Sequence, residues 1–148
     1  MGFSLTGAHI VFFIAAVLVA GAVSGVFVAI TMNITTSFSD RGERIQEKLD
    51  TEFEIINDPE NIPTSDNDYV FYLKNIGNSK LLTTNESFQL FLDGDIISVS
   101  NYNFSDNFIQ TSEYTKLYVL QSEFSIGDHR LRIVGPFAIE EDFTFTIT

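Results

Sequence analysis

Every charged side chain of this 148-residue chain lies at or after Asp40. Ahead of that point, the 21 residues from Ile10 to Ile30 include only one polar side chain, Ser24. A hydrocarbon core of ~30 Å takes about 20 helical residues. A helix on a water-soluble protein would keep a polar face, and this segment has none. The pattern predicts a membrane-spanning helix over residues 8–32. A cleaved signal peptide is the rival, but it needs a basic start and a shorter apolar stretch. Met1 to Ala8 holds no Lys or Arg, and no basic residue precedes the apolar run as in pilin-type leaders. The expectation is therefore an uncleaved anchor.

Small residues recur along this helix at intervals of four. Gly21, Gly25 and Ala29 form one row, and Ala16, Ala20 and Ser24 form the neighbouring one. Such spacing lets two helix backbones approach closely in lipid, so both rows are candidates for helix packing.

The charge that follows is acidic, with a formal net of −12 from 20 acidic and 8 basic residues. That balance opposes nucleic-acid binding, which needs Lys and Arg for the phosphates, and opposes adhesion to an anionic bilayer surface. There is no Cys, which removes disulfides, thiol nucleophiles and thiolate metal sites. Ten of the 15 Phe lie beyond residue 50, so this part has the material for a packed core and is not disordered.

Residues 33–50 read as a stalk: Asp40 with Arg44, and Arg44 with Glu47, have helical spacing, while Ile45 and Leu49 share a face. A helix over residues 8–50 would be ~64 Å long. Thr35-Thr36 and Gly42 predict a joint within it. From Thr51 the period becomes two. Seven strands are predicted, over residues 51–57, 69–74, 88–92, 95–100, 115–121, 130–134 and 141–148, with Asp93-Gly94 as a hairpin turn. The fold class is mainly β: an N-terminal transmembrane helix and short helical stalk, then an immunoglobulin-like antiparallel β-sandwich over residues 51–148. The domains are 1–32, 33–50 and 51–148.

No nucleophile–base set is visible; His9 falls at the apolar segment and His129 stands by itself. The acidic groups Asp93-Gly94-Asp95, Asp66-Asn67-Asp68 and Glu140-Glu141-Asp142 do not match a calcium loop. The reading is a protein that is not an enzyme, with no catalytic residue, cofactor or metal. Three N-x-[ST] sequons make Asn33, Asn85 and Asn103 candidate glycosylation sites. Ile96 and Ile97 are adjacent in a predicted strand, and alternation buries only one of them, so Ile96, Ile97 and Val99 form a candidate edge-strand interface. Topology is open on charge. Arg41, Arg44 and Lys48 follow the helix and favour a body inside the cell, whereas the sequons and the acidic body favour the outside.

The segments Leu49–Pro59 (LDTEFEIINDP), Tyr72–Gly77 (YLKNIG) and Leu90–Gly94 (LFLDG), in this order behind an apolar helix, resemble FlaG, the archaellum stator family of archaea. The opening Met1-Gly2-Phe3-Ser4 is more similar to the sister family FlaF. The resemblance implies a single-pass protein of the archaeal cell membrane, with its sandwich between membrane and S-layer. It also implies a FlaF-like partner that reaches the S-layer protein, and a role in holding the swimming motor static. The partners expected are thus a FlaF-like protein, the S-layer indirectly, the lipid bilayer, and further copies met through edge strands or the transmembrane helix. An archaellin- or pilin-like filament subunit and a membrane-anchored ligand-binding module are the alternatives.

Overall fold

The computed structural model describes residues 2–148, with side chains from residue 6 onward. Helix α1 spans Gly2–Asp50. Eleven strands follow: β1 (Phe53–Ile55), β2 (Thr64–Ser65), β3 (Asp68–Asn75), β4 (Leu81–Leu82), β5 (Gln89–Leu92), β6 (Asp95–Ile96), β7 (Tyr102–Phe104), β8 (Phe108–Ile109), β9 (Tyr114–Leu120), β10 (Gly127–Val134) and β11 (Glu140–Ile147). The chain divides into two compact units, Met1–Arg44 and Ile45–Thr148.

Helix α1 is unbroken where Thr35-Thr36 and Gly42 predict a joint. Along its polar stretch the hydroxyls bond back to the preceding turn. Thr31, Thr35, Thr36 and Ser37 donate to the carbonyls of Phe27, Thr31, Met32 and Asn33, at 2.9–3.0 Å. This satisfies each hydroxyl without any partner beyond the helix.

The second unit is an antiparallel β-sandwich. One sheet has the order β1-β3-β9-β7, with β2 added on β3; the other has the order β11-β10-β5-β6; β4 and β8 form a small pair of their own. Alternation builds the core. Phe71 and Leu73 of β3 and Leu117 and Val119 of β9 meet Leu90 of β5 and Leu131 and Ile133 of β10, all fully buried. Aromatic rings interlock at the centre: Phe71 meets Phe145 edge-on at 5.3 Å, and Phe53 meets Phe88 likewise at 5.3 Å.

Sequence periodicity misses β2, β4, β7 and β8, each two or three residues long and too short to alternate. The predicted strand 95–100 is strand only at Asp95–Ile96, then turns as a 3₁₀ segment at Val99–Asn101. That turn carries the chain from one sheet to the other. Tyr102 closes the crossing: it is buried, and its hydroxyl donates to the Phe88 carbonyl at 2.7 Å.

The end of α1 is held by the turn after β3. The Asp50 carbonyl accepts the N–H groups of Asn78 (2.8 Å) and Ser79 (3.1 Å), and the Ser79 hydroxyl at 3.2 Å. The Glu52 carbonyl accepts Ile76 and Gly77, at 3.1 and 3.0 Å. A side chain on Gly77 would collide with the backbone of Asp50 and Glu52. Asn75, 1% exposed, shapes the same turn: Nδ2 donates to the carbonyls of Ser79 (2.8 Å) and Ile109 (3.3 Å), and Oδ1 accepts Gly77 N–H at 3.0 Å. Replacing Asn75 by Ala strands these buried groups and is expected to cost about 2 kcal/mol. Gly77→Ala is expected to cost at least as much, and denaturant midpoints of the full chain in detergent measure both.

Candidate interaction surfaces

The predicted hairpin is present. Asp93 (φ 53°) and Gly94 (φ 100°) form the two-residue turn that joins Leu92 to Asp95, with the left-handed backbone that this turn demands. Strand β6 is a sheet edge. Ile96 is 65% exposed and Val99 54% exposed, but Ile97 is 2% exposed and belongs to the core. Ile97 is thus corrected from interface to core. The chain leaves β6 after Ile96, the Ile97 N–H bonds the Leu90 carbonyl at 2.9 Å, and its side chain packs inward.

His129 does not stand by itself. It is buried on β10, with Nδ1 2.7 Å from Asp93 Oδ2 and Nε2 2.9 Å from the Ser125 carbonyl. Both neighbours are acceptors, and only the imidazolium, with a proton on each nitrogen, donates to both at once. Asp93 Oδ1 also accepts the Arg130 N–H at 2.8 Å. One carboxylate therefore ties the hairpin tip to β10. Burial opposes the charge on His129. The Asp93 hydrogen bond, the Ser125 carbonyl and the charges of Asp93 and Asp128 outweigh it, and the pKa is raised. The Arg130 backbone N–H, then His129, hold Asp93 below its ordinary value.

On the outward face of β10 and β11, Asp142 bridges two guanidiniums. It accepts Arg132 Nε at 2.9 Å and Arg130 Nη2 at 2.6 Å, which, Arg132 first, bring its pKa down to about 2. These two Arg stand beside Phe91 and Val134 in an open groove over that face. The carboxylates of Asp93 and Asp142 are therefore engaged by the protein's own donors. Among the described residues, no group of three or more His, Cys, Asp or Glu is placed to hold a metal ion.

The sequons lie in different settings. Asn33 is within α1, and its carbonyl takes the Ser37 hydroxyl. Asn85 donates Nδ2 to the carbonyls of Tyr102 (2.9 Å) and Val99 (3.2 Å), bonds that a glycan on that nitrogen would disturb. Asn103 is exposed on β7. In α1, Gly21 and Gly25 have open space beside them. Ala16, Ala20 and Ser24 line a shallow groove with Phe12 and Val19.

Sequence periodicity had no means of finding His129 or Asn75. The His129–Asp93 contact spans 36 residues and exists only through the β5–β10 register. Asn75 was visible only as part of the L-K-N-I-G segment behind the FlaG resemblance.

Residues 2–143 match the family described as archaeal-type flagellin. Flagella-related protein G of Methanocaldococcus jannaschii is 30% identical over 137 residues, covering 88% of each chain. Flagella-related protein G of Methanococcus voltae is 30% identical over 139 residues, covering 92% of this chain and 93% of its own. Among solved structures, the archaellum periplasmic stator protein FlaG from Sulfolobus acidocaldarius shares the sandwich fold. Its TM-score is 0.51 at 21% identity, over 64% of this chain and 99% of that one. The chain belongs to the archaeal-type flagellin family and is a relative of the flagella-related G proteins.

Two tests follow from this geometry. Ile97→Asp buries a charge and is expected to unfold the sandwich, whereas Ile96→Asp keeps stability within about 0.5 kcal/mol; thermal melts followed by circular dichroism separate them. The second concerns pH. A raised His129 pKa gives stability that is complete below its ordinary 6.5 and lost as pH rises through the folded value. A lowered Asp93 pKa gives stability present above 3.8 and lost as pH falls through the folded value. Melting temperature is expected to be highest between roughly pH 4 and 6.5. His129→Gln is expected to lower it at pH 5 by the equivalent of about 1.5 kcal/mol, with the gap closing as pH rises past the folded value.

Proposed function

We propose that this protein is a structural part of the archaellum motor's stator, fixed in the cell membrane by α1 and presenting its sandwich outside the membrane. The observation that carries this reading is near-full-length relatedness to flagella-related G proteins in two methanogens. The physics agrees. A helix of 49 residues holds a window long and apolar enough to cross a membrane. A lone membrane helix diffuses in the plane and resists no torque, so a static element needs a rigid part that grips something fixed. The sandwich supplies rigidity, and the turn at 76–79 locks the last residue of α1 to it. In this reading a FlaF-like partner connects the sandwich to the S-layer. The chain needs no cofactor and performs no catalysis, and its domains are the anchor 1–32, the stalk 33–50 and the sandwich 51–148.

The match to the archaeal-type flagellin family favours one alternative, a filament subunit. Fractionation of swimming cells distinguishes the two. A stator protein is expected in the envelope fraction, captured with a second sandwich protein and S-layer protein when the tagged chain is pulled down. A filament subunit is expected in sheared filaments. Deletion of the gene is expected to abolish swimming while leaving the S-layer intact. Normal swimming by the deletion strain would contradict the stator reading.

A further inference from the structure

An N-linked glycan is bulky and hydrated, so the asparagine that bears it needs open solvent and a free amide nitrogen in the folded state. Two of the three sequons lack these. Asn33 lies only about 4.5 Å past Ile30 along α1, which presses a sugar against the end of the apolar segment. Asn85 commits both protons of Nδ2 to the carbonyls of Tyr102 and Val99. A glycan there removes one of those bonds and crowds the other.

Asn103 differs on each count. Tyr102 and Phe104 are buried, so alternation turns Asn103 outward, and it is exposed. Its amide makes no hydrogen bond among the described residues. Ser105, which completes the sequon, is exposed on the same face, and its hydroxyl is bonded to Asp106 (2.6 Å) and Thr115 (3.0 Å) instead. The register then places a particular neighbour beside the free amide. Asn103 is paired with Tyr118 of β9, and Cβ atoms so paired stand about 4.5–5.5 Å apart on one face. Leu117 and Val119 are fully buried, so the half-buried Tyr118 faces outward with Asn103. The face of a Tyr ring is apolar and electron-rich, and the C–H side of a sugar ring packs against such a face. Lys116, exposed two residues along β9, offers a donor to sugar hydroxyls.

We propose that Asn103 is the N-glycosylation site of this chain and that the first sugars lie across Tyr118, on the outer face of the β1-β3-β9-β7 sheet. In the transfer, Nδ2 of Asn103 displaces the phosphate of a lipid-phosphate-linked oligosaccharide at its anomeric carbon. A C–N bond forms and the C–O bond to phosphate breaks. The lipid phosphate leaves with the electron pair, and the amide gives up one proton. The proposal rests on the reading that the sandwich lies outside the membrane, and not on the stator role.

The test uses the full-length chain, made in an archaeal host that builds N-linked glycans and purified from its envelope. Cleavage ahead of Asp95 and Asp106 frees residues 95–105, which hold Asn103 and neither of the other sequons. Mass spectrometry is expected to find an oligosaccharide on this peptide in most copies. Asn103→Gln and Ser105→Ala are expected to remove it and Ser105→Thr to keep it, while Asn33→Gln and Asn85→Gln leave gel mobility unchanged. Tyr118→Ala is expected to lower the Tm of the glycosylated chain by about 4 °C more than that of the bare Asn103→Gln chain. Sidedness is read separately. Ile126 is 83% exposed and the chain has no cysteine of its own, so Ile126→Cys is treated in intact cells with a membrane-impermeant maleimide. Labelling together with a bare 95–105 peptide, or with a glycan on Asn85 instead, overturns this proposal alone. Labelling only after lysis overturns the outside placement and this proposal with it. Equal losses of Tm on Tyr118→Ala in the two chains overturn the contact with Tyr118.

Discussion

The carbonyl of Asp50 is the point on which the architecture turns. A helix ends with carbonyls that have no partner within it. Here the last one is taken by Asn78, Ser79 and the Ser79 hydroxyl, while the Glu52 carbonyl takes Ile76 and Gly77. The chain leaves its helix directly into the turn that follows β3. Gly77 is required because any side chain there would meet the Asp50–Glu52 backbone, and Asn75 is required because its amide holds the turn in shape from inside the core.

The same economy of polar groups recurs elsewhere in the sandwich. Asp93 connects the hairpin tip to β10 through His129 and Arg130 N–H, Tyr102 binds the crossing between sheets, and Asp142 gathers two Arg on the outer face. Each device joins segments distant in sequence.

Much of this is legible in the sequence. The apolar helix, the strands β1, β3, β5, β9, β10 and β11, the start of β6 behind the Asp93-Gly94 turn, and the core alternation at Phe88, Leu90 and Leu92 follow from period and turn chemistry. What was not legible has a common cause. β2, β4, β7 and β8 are too short to show a period, and unlike β1 and β6 they sit neither in a longer alternating run nor behind a hairpin turn. Thr35-Thr36 and Gly42 argue locally for a joint, but the helix runs through them, with the Thr hydroxyls bonded back to the preceding turn. Adjacent Ile96 and Ile97 show that one residue must face outward, yet only the turn after Ile96 decides that Ile97 is the buried one. The partners of His129 and Asn75 come from sheet register, which a single sequence does not display.

In the stator role proposed above, the hydrogen bonds of the turn at 76–79 to the Asp50 and Glu52 carbonyls hold the end of α1 at the sandwich. A short flexible Gly-Ser insertion between Asp50 and Thr51 loosens that junction and leaves both parts intact. Swimming speed of cells carrying the insertion as their sole copy, with envelope abundance measured alongside, tests the claim most directly. Normal abundance with swimming lost is the expected result. Swimming at the wild-type speed would contradict it.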